Sequence, residues 1–155
     1  MAAFKRLKNK PPLRPMEARL VESLPDDDGW QFEPKWDGFR CLVFRDGDAV
    51  ELQSKAGRPL ARYFPEMVET VLALRSERFV LDGELTISIG GHLSFEALQQ
   101  RPHPAESRVR KLAVATPAQF ILFDCLELED APVAAQPLAD RRAALERFHR
   151  RLRSD

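Results

Sequence analysis

Several residue types are scarce in this chain, and each scarcity excludes something. Two cysteines occur in 155 residues. Cys41 and Cys125 each sit inside an apolar, strand-like run and read as small buried hydrophobes, not as a disulfide or a reactive thiol. The three histidines, His92, His103 and His149, have no metal-ligand spacing among themselves or with the cysteines. No apolar run is long enough to span a bilayer, and no secretory leader is recognisable. The expectation is a cytoplasmic domain without a membrane partner. Charge of one sign does not dominate either: 24 Lys and Arg stand against 24 Asp and Glu, so global charge argues neither for nor against nucleic acid.

What is present is a chain of about one domain's length, with an ordinary apolar fraction able to build a core. Its basic residues cluster at the ends: Lys5, Arg6, Lys8 and Lys10 at the start, and Arg147, Arg150, Arg151 and Arg153 at the finish. Solvated termini explain such clusters, and phosphate contact is the alternative. Residues 1–22 read as a basic, proline-containing, extended lead-in, and 23–155 as the folded portion.

Within that portion, Trp30 to Glu33 is strand-like and follows a turn at Asp26 to Gly29. Phe39 to Arg45 is a nearly continuous β-favouring run, and Asp46-Gly47-Asp48 turns it into a second strand, Ala49 to Ser54. Phe64, Met67, Val68 and Val71 recur at helical spacing from Pro65 to Leu74. Phe79 to Ile89 alternates, with Leu81, Leu85 and Ile87 on one face and Asp82, Glu84 and Thr86 on the other. Ser94 caps a short helix through Gln100. Ala118 to Leu128 is a buried strand with Asp124 in its middle, an acid that needs a hydrogen bond or an arginine there. Pro137 to Arg150 is an amphipathic helix. Hairpins with interspersed helices predict an α+β fold with antiparallel sheets.

The most informative stretch is Glu33-Pro34-Lys35-Trp36-Asp37-Gly38-Phe39-Arg40. Lysine's ordinary pKa of about 10.4 leaves almost no free amine at neutral pH. A nucleophilic lysine therefore needs a fixed, half-desolvated setting near other cations. Alone, Lys-x-Asp-Gly reads as a surface lysine before an Asp-Gly turn. Three features follow it in order: the basic loop Ser54-Lys55-Ala56-Gly57-Arg58, then Asp82-Gly83-Glu84-Leu85, then Phe120-Ile121-Leu122-Phe123-Asp124.

With these ordered motifs the chain resembles the adenylation domain of ATP-dependent DNA ligases, of the small bacterial end-joining kind. The resemblance implies an incomplete nucleotidyltransferase (ATP-grasp-like) domain. The resemblance implies ATP as cofactor, with Mg²⁺ or Mn²⁺, and nicked or broken double-stranded DNA as substrate. It also implies end-joining repair proteins as candidate partners, and a bacterial cytoplasmic, nucleoid-associated location. Lys35 would take AMP as a phosphoramidate, with Asp37 shaping its turn and Gly38 letting backbone approach the ligand. Glu33 would contact the adenine amino group, Arg40 the ribose and nick phosphate, and Lys55 a phosphate. Glu84 would hold the ribose or a metal ion, and Phe123 would stack on adenine. Lys35, Glu84 and Phe123 must then converge on one adenosine-sized hollow.

Two departures accompany the resemblance. Lys55-Ala56 stands where the family usually has Arg-Asn, and a lysine lacks the planar fork that grips phosphate. The family's later Glu-Gly-(apolar)₃-Lys and Lys-x-Lys strands are not found before Asp155, so the expectation is a fragment, weakly active or inactive alone. An RNA ligase, a capping-type nucleotidyltransferase and a non-catalytic nucleotide- or nucleic-acid-binding remnant are the alternatives.

Overall fold

Three alternating segments become long neighbouring strands, and their two faces decide everything else. In the computed structural model, which describes residues 3–152, the elements run β1 (Phe39–Asp46), β2 (Ala49–Ser54), α1 (Pro65–Ala73), β3 (Arg78–Ile89), β4 (His92–Leu93), α2 (Phe95–Gln99), α3 (Glu106–Ala115), β5 (Ala118–Leu128), β6 (Ala131–Pro132) and α4 (Leu138–Leu152). Arg153, counted above in the basic end, lies outside the described residues. All strands join one antiparallel sheet of order β2-β1-β3-β5-β6, with β4 pairing the end of β3. The β1–β2 hairpin closes at Asp46 and Ala49, leaving Gly47 at φ +65°, a turn position that a Cβ would strain.

One face of the sheet packs on helices. Val43, Phe79, Leu81 and Leu85 are buried there against Met67 and Val71 of α1 and Leu145 and Phe148 of α4. Phe148 meets Phe79 edge-on at 5.0 Å, and burying one such ring contributes about 3 kcal/mol. Ser94 caps α2, its Oγ accepting from the amide of Ala97 at 3.2 Å as its position predicts. Cys41 and Cys125 are buried free thiols. Burial pushes the Cys125 thiol up to about 12, the nearby Asp124 charge adding to it, so it is inert at neutral pH.

The other face is divided. One half lies under the N-terminal arm, whose Leu7 is buried with Leu42, Phe44 and Val80. Three polar anchors hold the arm. The buried Glu127 carboxylate accepts from the amides of Lys8 (3.0 Å) and Asn9 (2.8 Å) and from Asn9 Nδ2. Gln53 exchanges two hydrogen bonds with the backbone of Leu13. Asp46 accepts from the Arg6 amide at 2.9 Å. The lead-in is thus packed onto the sheet, although its sequence reads as solvated. The second half of this face is open and carries Arg40, Asp82, Glu84 and Phe123.

Strand β5 produces that arrangement through two irregularities in its pairing with β3. The register passes from Asp82↔Asp124 to Gly83↔Leu122, and from Val80↔Glu127 to Leu81↔Cys125. Phe123 and Leu126 are therefore extra residues, and at a bulge an extra residue re-aims side chains. Leu122, Cys125 and Leu128 face the helices. Phe123 meets Arg40 and Leu126 meets the arm, both on the other side.

Two stretches differ from expectation. Trp30 to Glu33 forms no strand: β1, which follows it, has β2 on one edge and β3 on the other, and Trp30 and Phe32 stay exposed. Helix α3 arises where no element was foreseen, since only Val109 and Ala113 are buried along it.

Candidate active site

Position 38 fixes the loop that carries the lysine. A Cβ there would lie 2.2 Å from the Leu85 carbonyl oxygen and 2.8 Å from Glu84 Cγ, so only glycine lets the loop lie flat on β3. The close approach is to the neighbouring strand, where the sequence suggested a ligand. Lys35, Trp36 and Asp37 run on from this contact as an exposed irregular segment. Lys35 is exposed where a half-desolvated lysine near other cations was expected, and it acts on an acid: its charge pulls the Glu84 carboxyl down.

Cross-strand pairing sets the next layer. Arg40 lies opposite Glu84 in the β1–β3 register, and Asp82 is two residues away on the same face. The guanidinium turns to Asp82, with Nε 2.6 Å from Oδ1 and Nη2 2.7 Å from Oδ2, a bidentate pair. Nη2 also reaches the Met16 carbonyl at 3.3 Å. Asp82 retains 3% side-chain exposure and Arg40 27%. Removing one partner of so buried a pair costs about 3–5 kcal/mol. The Asp82 hydrogen bond holds the Arg40 pKa above its ordinary value. Burial raises the Asp82 carboxyl, with Arg40 pulling against it. Burial likewise raises Glu84, opposed by Arg40 and then Lys35.

Arg40 also lies over the Phe123 ring, 4.6 Å from its centroid, a cation–π contact. Next in sequence, Asp124 accepts from Arg141 Nε of α4 at 2.9 Å, the arginine partner its buried position called for. The structure therefore gathers Lys35, Arg40, Glu84 and Phe123 on one open half-face, with Arg40 as the link.

The other expected residues stand apart from this group. Glu33 accepts from Gln31, two residues back. Asp37 is exposed at the loop's surface. Lys55 pairs with Glu17 at 3.1 Å, both half or more exposed, beside a cavity of about 580 Å³ lined by Pro12, Pro15, Lys55 and Gly57. Since Met16 touches Arg40 and Glu17 touches Lys55, the segment leaving the arm runs between the two. Asp82 is the residue that the sequence undervalued. Alternation put it beside Glu84, but its partner on β1 depends on a register that no local pattern reveals.

Residues 15–154 match the family model described as the ATP dependent DNA ligase domain. The chain is 55% identical over 135 residues to DNA ligase C of Mycobacterium tuberculosis, covering 87% of this chain and 37% of that protein. It is 52% identical over 136 residues to DNA ligase C2 of Mycolicibacterium smegmatis, covering 88% of this chain and 38% of that protein. Among solved structures, a mycobacterial DNA ligase D complexed with ATP and MES superposes with a TM-score of 0.58 at 30% identity, covering 76% of this chain and 36% of that one. The chain thus spans well under half the length of these relatives.

Proposed function

Because the chain belongs to the ATP-dependent DNA ligase family, we propose that its open half-face is an adenylation site and that Lys35 is the nucleophile. The observation that carries this reading is the convergence of Lys35, Glu84, Arg40 and Phe123 around one loop and three strands. In the proposed step, Lys35 Nζ attacks the α-phosphorus of ATP. The bond to the bridging oxygen breaks, pyrophosphate leaves with that oxygen, and the neutral amine gives up one proton and keeps the other, forming a lysyl phosphoramidate that holds AMP. A DNA 5′-phosphate then displaces the lysine, and a 3′-hydroxyl displaces AMP to close a nick or break. Covalent storage divides one difficult phosphoryl transfer into easier ones.

The exposed loop suits Lys35 to such a relay, since the same atom must meet ATP and then a DNA end. Glu84 lies beside it to receive ribose or to hold Mg²⁺ or Mn²⁺. Among the described residues no three His, Cys, Asp or Glu cluster as a metal cage, which fits a cation bound by one or two carboxylates together with phosphate oxygens. Such a cation would neutralise triphosphate charge. Glu33 and Lys55 complete the proposal, Glu33 at the adenine amino group and Lys55 at a DNA phosphate, each exchanging its present partner for the ligand. Asp37 shapes the loop. End-joining proteins as partners and action at the bacterial nucleoid belong to the same proposal. Of membranes, the structure states that no helix among the described residues is long and apolar enough to cross one.

The test combines binding with adduct mapping. Calorimetry should show ATP binding and little GTP binding. Mass spectrometry after incubation with ATP and Mg²⁺ should place any AMP adduct on Lys35 and lose it in Lys35→Ala. An adduct on another lysine, or one that survives the substitution, would refute the assignment.

A further inference from the structure

We propose that Asp82 is a positioning residue for the nucleotide base, acting through Arg40 on the Phe123 ring. This rests on reading the half-face as an ATP site. Phe123 is the surplus residue of a bulge, so no regular ladder pairing fixes its direction. What meets its ring is the Arg40 guanidinium, 4.6 Å from the centroid. That guanidinium is itself set in place by Asp82, which takes Nε and Nη2 together.

The alternative, in which Arg40 is a lid that adenine pushes off the ring, fails on relative magnitude. Displacing Arg40 would strand the buried Asp82 carboxylate, a larger penalty than the stacking of one base returns. Arg40 therefore backs one face of Phe123 and leaves the other for the base. Asp82 also keeps Arg40 from two competing acids that attract it, Glu84 and Asp124. Without the Asp82 charge the guanidinium swings to Glu84, uncovers the ring and obstructs the carboxylate that faces Lys35.

The experiment compares calorimetric affinities for ATP and for inorganic tripolyphosphate, which has no base, in the parent chain, in Asp82→Asn and in the double variant Arg40→Met with Asp82→Leu. The double variant replaces the pair by apolar groups and so keeps the fold even if the single substitution loses it; thermal melts verify this. Both variants should bind ATP about tenfold more weakly, while the affinity of Asp82→Asn, which keeps Arg40, for tripolyphosphate changes by less than about twofold. Equal losses on both probes in Asp82→Asn, or no loss for ATP, would overturn the positioning role. A parent chain that binds the two probes equally would instead overturn the ATP-site reading beneath it.

Discussion

Asp124 and Arg141 join the middle of β5 to the first turn of α4. Nε of the guanidinium lies 2.9 and 3.0 Å from the two carboxylate oxygens, and Nη1 donates to the Gln136 carbonyl at 2.8 Å. The contact holds the helix beside the strand that presents Phe123. Asp124→Ala or Arg141→Ala alone should lower stability by about 3 kcal/mol, because each leaves a mostly buried charge unpaired. Replacing both by leucine should recover most of the loss. Urea denaturation decides it: a double variant no more stable than either single one would deny the pairing its role.

Arg45 places its guanidinium at the end of α1. Nη1 lies 2.7 Å from the Val71 carbonyl, 2.7 Å from that of Leu74 and 2.9 Å from that of Ser76, and Nη2 lies 3.1 Å from that of Leu72. Val71 and Leu72 lie in the last turn of α1, where carbonyls run out of helical donors, and Leu74 and Ser76 follow it; the Val71 carbonyl also accepts from the Leu74 amide. Arg45→Met preserves bulk but removes the donors, and should cost about 3 kcal/mol in a denaturant titration. A loss within ordinary surface variation would mean that water replaces the arginine without penalty.

At Gly38 the expected effect falls on function as well as stability. An alanine Cβ would collide with the Leu85 carbonyl oxygen, so the loop must lift from β3, taking Lys35 away from Glu84. Gly38→Ala should cost about 1–3 kcal/mol and reduce AMP labelling of Lys35 more than the stability change accounts for. Labelling at the parent's level would show that the lysine does not need this contact.

Glu84 gives a pH signature of defined sign. Burial holds its carboxyl above the ordinary glutamate range, with Arg40 and then Lys35 pulling it partly back. The folded chain keeps a proton there that the unfolded chain releases. Between the ordinary and the raised value, stability therefore falls as pH rises, and it levels off above. In Glu84→Gln that component disappears. Urea midpoints taken from about pH 4 upward should fall less steeply across that window for the variant than for the parent. Parallel curves would rule the effect out.

Glu127 should control the arm. With Glu127→Ala, the amides of Lys8 and Asn9 lose their acceptor. Hydrogen exchange over residues 7–9 should then accelerate by about tenfold or more, the scale of one lost charged hydrogen bond, while β3 amides stay protected. Unchanged exchange in the arm would place its anchorage in Leu7 and the Asp46 and Gln53 contacts.

Much of this fold was legible because period and pairing agreed. Alternation from Phe79 to Ile89 separated Leu81 and Leu85 from Asp82 and Glu84, and the helical spacing after Pro137 gave α4. Helix α3 escaped because two buried residues, Val109 and Ala113, sit among charged neighbours and make too thin a stripe. Trp30 to Glu33 misled in the opposite direction, since its β propensity met no partner strand. The arm was hidden for a further reason: its anchors bind backbone amides, and amides leave no trace in a sequence. At the proposed site, the ordered motifs named Lys35, Arg40, Glu84 and Phe123, which the structure places on one half-face. The hold of Asp82 on Arg40 depends on cross-strand register, and the direction of Phe123 on an irregularity with no local signature.

The irregularities of β5 separate what the architecture requires from what it merely accommodates. Excising Phe123 would close the ladder from Leu122 through Asp124 to Cys125 and leave every downstream side chain on its present side. Pairing has no use for an aromatic at 123. Its presence is dispensable to the scaffold, which frees that position to answer to chemistry alone.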